Sequence, residues 1–236
     1  MIALRRYTSL PVLIDMLVNK RLSLVGYQTW VDVNDRYAMG LYQSSLHYGF
    51  VGAMCLTEAA ETFHHWQVFA QGSAGVCIVF DKAKLEAMVP TTGHYMARSV
   101  EYLPLHKPDG LDASNIHRLP FLKRFGFRDE KEFRIIGYAV ENDITAMHIQ
   151  LGPKVVDRVI FSPLMPSALV ASVSKLLLAI DGWSDLLIKQ SRLTDNKAWQ
   201  KSLLEYQKRH GTVYGTWEPL IFVDQENGNL QSGLGA

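Results

Sequence analysis

The stretch FRDEKEFRII, residues 127–136, is the part of the sequence from which the fold prediction starts. Its second half is typical of a buried strand, yet Glu130, Glu132 and Arg134 enter the same run at every second position. Successive side chains of a strand point to opposite faces, so these charged groups are expected to share one face. That face is either exposed, where such a row contributes little to stability, or it lines a polar cleft.

The surrounding sequence predicts short strands interspersed with helices. Because these do not alternate as regular βαβ units, we expect an α+β fold: one domain over residues 1–224, with helices packed on a central mixed, mostly antiparallel sheet. Residues 225–236 are predicted to be a disordered tail. The other predicted strands cover residues 2–9, 21–27, 50–57, 76–81, 94–103, 145–152, 156–163 and 185–193. The predicted helices begin at Pro11, after Ser9 as its cap, and cover residues 36–47, 60–70, 81–89, 166–180 and 194–211.

Composition excludes some classes of function. The chain has 236 residues, 48% of them hydrophobic, and a formal net charge of +1, which argues against binding to DNA by bulk electrostatics. Cys55 and Cys77 lie in apolar runs and are expected to be buried free thiols of a reducing compartment. No secretory signal and no run long enough to cross a bilayer is recognised, so we expect a cytoplasmic protein without membrane contact.

The histidine pattern does not predict a metal site. His64 and His65 are adjacent, and neighbouring side chains on a helix point about 100° apart, so they cannot easily share one ion. Phe63, Trp66 and Phe69 recur at helical spacing, which is more typical of a core-facing stripe than of a ligand platform. Residues 104–118 form the most polar segment and are predicted to be a loop or lid.

Five patches in order resemble a bacterial domain-of-unknown-function family, number twenty-nine seventy-one. Members usually have Pro-Phe-Glu after the Asn-Asp pair, where this chain has Arg-Tyr-Ala, and His-Tyr-Ala after the tryptophan, where it has Val-Phe-Ala. The resemblance implies a fold and a set of site residues without an activity. The patches are RRYTSL at 5–10, VNDRY at 33–37, HHWQVFAQGSAGVCIVFD at 64–81, DEKEFRIIG at 129–137 and IQLGPKVVDRVIF at 149–161.

The layout is also similar to ADP-ribosyltransferase-like domains, including DNA-modifying toxins of bacterial defence modules. Those domains begin with a strand carrying Arg or His, pass at once into a helix, and place a key Glu on a later strand. This similarity implies Glu132 and Arg6 as catalytic residues and NAD as the substrate, with no metal. The binding residues it implies are Arg5, Tyr7, Ser9, Asn34, Asp35, Trp66, Glu130 and Arg134.

Two functions follow from these resemblances. In the first, NAD modifies a nucleic acid or a protein in a defence or toxin–antitoxin setting. Glu132 then stabilises the oxocarbenium-like ribose, Arg6 holds the pyrophosphate, and Tyr7 or Trp66 stacks on nicotinamide. In the alternative, the same cleft binds a nucleotide, a nucleic-acid end or a partner protein without chemistry. Both lead us to expect one pocket formed by Glu132, Arg134, Trp66, Asn34 and Arg6.

Overall fold

The computed structural model of the chain separates into two compact units, Met1–Asp195 and Asn196–Ala236. The second unit contributes one described element, helix α6 (Lys197–His210). The structure describes residues 2–70, 72–91, 93–104, 115–152 and 154–210.

The described part of the first unit alternates irregularly between strands, helices and short 3₁₀ segments. Its strands are β1 (Ala3–Ser9), β2 (Arg21–Gly26), β3 (Phe50–Thr57), β4 (Gly75–Asp81), β5 (Tyr95–Ser99), β6 (Glu101–Leu103), β7 (Leu122–Arg124), β8 (Glu132–Ala139), β9 (Ala146–Gln150), β10 (Val156–Phe161) and β11 (Leu187–Gln190). Its α-helices are α1 (Leu10–Asn19), α2 (Val33–Ser45), α3 (Phe63–Phe69), α4 (Lys82–Met88) and α5 (Ser167–Leu178). The 3₁₀ segments discussed below are Ile116–Phe121 and Phe125–Glu130.

The main sheet has the strand order β11-β10-β4-β1-β3-β2-β9, and β8 pairs with both β3 and β5. Its neighbours run antiparallel except for the parallel pair β10 and β11. A second, two-stranded parallel sheet joins β6 to β7. The predicted α+β class with a mixed, mostly antiparallel sheet is therefore confirmed.

Strand β3 is where the sheet divides. Along one edge it pairs with β8 over its whole length, from Phe50 opposite Ala139 to Thr57 opposite Glu132. The other edge is shared: β2 pairs at Gly52 and Ala53, and β1 pairs at Thr57. Both β1 and β2 are antiparallel to β3 and pair with different parts of the same edge. They are not paired with each other there, so the sheet splits between them. Helix α1 joins the two.

The two faces of the sheet have different coverings. On one face, α1 contributes Leu13 and Leu17 to the main apolar core, together with Leu4 of β1 and Phe133 of β8. The opposite face is covered in two places. Helix α2 packs there over Ala53 and Ile136, and α3 packs over Tyr7 and Cys77. The charged residues of β8 belong to this second face, between the two helices.

The stretch FRDEKEFRII folds differently from its predicted form. Only its second half is a strand, which begins at Glu132. Phe125–Glu130 forms a 3₁₀ segment that ends at Lys131, whose φ of 42° turns the chain sharply. Glu130 therefore precedes the strand instead of belonging to it.

Several local predictions can be compared with the structure. Ser9 occupies the position before α1, as expected, but its side chain makes no capping hydrogen bond. On α3 the buried residues are His65 and Trp66, whereas Phe63 and Phe69 are exposed, so the predicted aromatic stripe is wrong. The predicted strand at 94–103 is broken into β5 and β6. The middle of the predicted loop 104–118 and the predicted tail 225–236 lie outside the described residues.

No helix in the described ranges is long and apolar enough to span a bilayer.

Candidate functional site

Arg134 is the fully buried centre of a charged cluster. Its guanidinium donates to Glu132 from Nε at 2.6 Å and from Nη2 at 2.9 Å. It donates to the two carboxylate oxygens of Asp35 at 2.8 and 2.5 Å, and to the Pro120 carbonyl at 2.8 Å. The Trp30 ring lies over the guanidinium at 5.0 Å. All five N–H donors of the guanidinium thus have acceptors, which is what allows a charge to be buried.

Lys123 of β7 is the second cation of the cluster. Its Nζ lies 2.5 Å from Glu130 Oε2, 3.1 Å from Glu132 Oε2 and 3.7 Å from Asp35 Oδ2. The cluster therefore contains three carboxylates and two cations, which come from α2, from β7 and from residues 130–134. The backbone N–H of Glu132 also donates to the Tyr102 hydroxyl at 2.8 Å, which ties β6 to the start of β8.

The two glutamates of the cluster have opposite pKa shifts. Burial opposes ionisation of Glu132, but the charge and hydrogen bonds of Arg134, helped by Lys123, hold its pKa at about 2. Burial raises the pKa of Glu130 in spite of its contact with Lys123. Glu132 is thus ionised at neutral pH, but both of its oxygens already accept from cations. The charged face of β8 is neither an exposed row nor an open cleft: it is buried and paired.

A cavity of about 240 Å³ lies directly beside this cluster. Asp35 and Lys123 belong to both, so the cluster forms part of the cavity wall. Polar side chains come from the start of α2 and from β7, and aliphatic ones from the two short strands and the preceding 3₁₀ segment. The lining residues are Asp32, Asn34, Asp35, Ala38, Leu103, Pro104, Leu119, Leu122, Lys123 and Arg124.

Two polar atoms at this cavity are buried without a partner among the described residues: Asp32 Oδ2 and Arg124 Nε. The other oxygen of Asp32 caps α2 by accepting from the backbone N–H groups of Asn34 at 2.9 Å and Asp35 at 3.4 Å. Burial opposes ionisation of Asp32, but these amide hydrogen bonds and nearby Arg124 outweigh it and lower its pKa. Asp32 and Arg124 thus line the cavity as an ion pair, with Arg124 Nη2 3.5 Å from Asp32 Oδ1, and each keeps one solvent-shielded polar atom without a partner among the described residues.

A second polar group lies under α3, around Tyr7. The Tyr7 ring stacks on His65 at 5.2 Å and meets Trp66 edge-on at 5.1 Å. Trp66 Nε1 donates to Glu61 at 2.8 Å, and the His65 ring is bonded to Thr62. Burial lowers the pKa of His65, with a further contribution from His64. These contacts pack α3 on the sheet. Tyr7 and Trp66 were predicted to stack on a ligand ring, but in the structure their rings contact each other.

Arg5 and Arg6 point to opposite faces of β1. Arg5 lies opposite Thr57, which in turn lies opposite Glu132, so these three share a face. Arg5 Nη1 donates to the Ala59 carbonyl at 2.8 Å. Arg6 alternates to the core face, where its Nη1 lies 3.1 Å from Met54 Sδ.

The expectation that Arg6, Trp66, Asn34, Glu132 and Arg134 form one pocket is therefore wrong. Glu132, Arg134, Asp35 and Glu130 do come together. Asn34 is exposed at the start of α2 and lines the cavity. Trp66 belongs to α3 and packs against Tyr7 instead. Arg6 is on the other side of the sheet, because a shift of one residue along a strand reverses the face.

Cys55 differs from its prediction. It is exposed, although it lies opposite the buried Arg134, whereas Cys77 is buried as expected. Burial nevertheless raises the pKa of the Cys55 thiol well above its usual range, and the charge of Glu132 adds to this.

Sequence reasoning missed Lys123, Asp32 and Arg124. The run KRFGFR at 123–128 does carry a signal, since it interleaves basic and aromatic residues immediately before the charged stretch. Asp32 also carries one, because Asp followed three residues later by Asp35 is typical of a helix start.

The sequence matches no protein-family model, and no curated protein matches it significantly. The resemblance to the bacterial family therefore rests on the quoted patches alone. Within the described ranges, no group of three or more His, Cys, Asp or Glu side chains is arranged to hold a metal ion.

Proposed function

We propose that this protein binds a nucleotide, with its base in the cavity between the start of α2 and β7. The observation that carries the proposal is the pairing of an unsatisfied acceptor, Asp32 Oδ2, with an unsatisfied donor, Arg124 Nε, in a cavity whose other walls are aliphatic. The edge of a nucleobase offers a donor beside an acceptor, and its faces are apolar. Both atoms are shielded from solvent, so binding requires the side chains of Asp32 and Arg124 to turn towards the cavity.

Cavity size supports a single ring system. Sites for drug-sized ligands range over roughly 300–1,000 Å³, and this cavity holds about 240 Å³. A whole dinucleotide such as NAD exceeds that volume, so NAD enters with one of its two bases while the remainder lies outside. Arg124 suits this arrangement, because its side chain lines the cavity and is 42% exposed, which leaves it accessible to a phosphate outside.

Binding of a mononucleotide to cavity variants tests the proposal. Ala38 lines the cavity, so Ala38→Phe should fill it and abolish binding of AMP, ADP-ribose and NAD measured by calorimetric titration. Ala171→Phe, on the exposed side of α5, is the matched control and should bind normally. Arg124→Gln should weaken binding about ten- to hundredfold, because it removes hydrogen bonds from a charged donor. The nucleotide-binding proposal would be contradicted if the wild type bound no nucleotide of any base, or if Ala38→Phe bound nucleotides normally.

NAD-dependent ADP-ribosyl transfer is a second candidate, favoured by one observation. Strand β1 with its Arg pair runs directly into α1, and Glu132 opens the later strand β8 on the same face as Arg5. Transfer requires a further step, because Glu132 is neutralised by Arg134 and Lys123 and must be released from at least one of them to face an oxocarbenium. The resemblance adds the setting: a cytoplasmic protein of bacterial defence whose acceptor is a nucleic acid or a protein.

The transferase candidate is tested with labelled NAD and a panel of DNA, RNA and cell lysate as acceptors. Glu132→Gln should lower transfer about a hundred- to thousandfold, because it removes the negative charge facing the ribose. Glu130→Gln perturbs the same cluster through Lys123 and should retain transfer, which separates chemistry from packing. A wild type that consumes no NAD with any acceptor rejects this candidate and leaves the nucleotide-binding proposal untouched.

A further inference from the structure

We propose that the nucleotide held in the cavity is part of a single-stranded nucleic acid, and that residues 123–128 bind the adjoining strand. This inference rests on the proposed function and names its substrate class. The run Lys-Arg-Phe-Gly-Phe-Arg, here called the basic–aromatic segment, begins in the cavity wall and leads out of it. Its first two residues line the cavity, and the next four form a 3₁₀ turn on the surface.

The side chains of the basic–aromatic segment form two cation–ring pairs. The Arg128 guanidinium lies 4.5 Å from the Phe125 ring centre, and Phe125 is 48% exposed. The Arg124 guanidinium lies 5.0 Å from the Phe127 ring centre, with Lys123 Nζ at 4.9 Å from the same ring. A ring with a guanidinium stacked on it leaves flat surfaces exposed at the mouth of the cavity.

Such surfaces suit a nucleic-acid strand better than a free nucleotide. Bases stack on phenylalanine rings and on guanidinium planes without regard to sequence, and the same arginines neutralise phosphates. Phe125 directly follows Arg124, so a strand with one base in the cavity has its next base within reach of the Phe125–Arg128 pair.

Local charge agrees with this partner. Arg124, Arg128 and Lys131 are cationic along the segment and just beyond it. Two acids oppose them, the largely buried Asp32 at 3.5 Å from Arg124 and the exposed Asp129 at 4.0 Å from Arg128. Glu130 is not available to oppose a phosphate, because it is paired with Lys123 at 2.5 Å. A neutral whole protein can thus carry a local cationic surface, which the net charge of +1 conceals.

The test compares a mononucleotide with single-stranded DNA and RNA of about ten nucleotides, a length within the usual site size of such proteins, by fluorescence anisotropy. Both oligonucleotides should bind more tightly than the mononucleotide. Phe125→Ala should weaken oligonucleotide binding about tenfold while mononucleotide binding stays unchanged. Phe63→Ala removes a phenylalanine of similar exposure on α3, 50% against 48%, and is the control.

Salt dependence tests the charge contribution. With two arginines on phosphates, the logarithm of the association constant should fall with the logarithm of salt concentration with a slope of about −1.4, and Arg128→Ala should reduce that slope by about 0.7. Lys189→Ala, which removes an exposed lysine from the edge strand β11, should leave it unchanged.

Each failure identifies its own cause. The inference is overturned if oligonucleotides bind no more tightly than the mononucleotide. It is also overturned if neither Phe125→Ala nor Arg128→Ala changes oligonucleotide affinity. Either result leaves the cavity proposal standing. Oligonucleotide binding that survives Ala38→Phe contradicts the cavity instead. A difference between the DNA and RNA arms decides which strand the segment accepts.

Discussion

At the scale of single residues, Arg134 holds together parts of the chain that are far apart in sequence. Its partner Asp35 is separated from it by 99 positions and Pro120 by 14. The alternation of charges in residues 130–134 does predict that Glu132 and Arg134 share a face. It does not predict their partners, because Lys123 and Asp35 reach them only through the packing of β7 and α2.

Arg134→Ala should be strongly destabilising. The change leaves Asp35 and Glu132 buried without their main cation, and breaking a buried pair from one side typically costs about 3–5 kcal/mol. Urea unfolding measures the free energy of unfolding. Arg128→Ala removes an exposed arginine from the neighbouring segment and should change that energy by less than about 0.5 kcal/mol. A loss for Arg134→Ala as small as that of the control would mean that the cluster does not stabilise the fold.

His65 should make stability depend on pH below about 6.5, the usual pKa of histidine. Burial lowers the pKa of folded His65, so the unfolded chain takes up a proton first as the pH falls. Stability contributed by neutral His65 is therefore complete above that pH and is lost as the pH falls towards the folded pKa. His65→Phe should flatten this part of the stability curve, whereas the control His94→Gln should retain the fall. An unchanged slope in His65→Phe would refute the assignment.

At the scale of elements, the start of α2 has two roles. Asp32 caps the helix and lines the cavity, so its two oxygens serve different parts of the structure. The helix predicted from the sequence begins only at residue 36, because Asn34 and Asp35 are residue types common in turns. The capping hydrogen bonds of Asp32 instead stabilise the first helical turn, and they put Asp35 on the buried side of α2.

Replacing Asp32 should separate these two roles. Asp32→Ala loses the cap and should cost about 1 kcal/mol of unfolding free energy. Asp32→Asn keeps an acceptor oxygen for the cap and should cost much less, while still weakening nucleotide binding by removing the carboxylate beside Arg124. Urea unfolding and calorimetric titration are measured on the same samples. Equal stability losses in the two variants, or undiminished binding by both, would contradict this division.

At the scale of the whole molecule, the divided sheet determines which predicted residues meet. The fold class, most helices and most strands could be predicted from periodicity and caps, because those signals are local. The predicted pocket could not be tested from the sequence in this way. Arg5 and Arg6 lie on opposite faces of β1, and the sequence does not show which of them shares a face with Glu132. Helices α2 and α3 also cover one face of the sheet in two separate places, so Asp35 of α2 meets Arg134 while Trp66 of α3 packs on Tyr7.

The central claim is that a nucleotide occupies the cavity beside the buried charged cluster, and a crystal structure with AMP bound tests it most directly. The account predicts density for the base between Leu103, Leu119 and Leu122, with its edge on Asp32 and Arg124 and its phosphate directed out of the cavity. Density for AMP at another place, such as the exposed side of α2 around Tyr37, or no bound AMP, would contradict the claim.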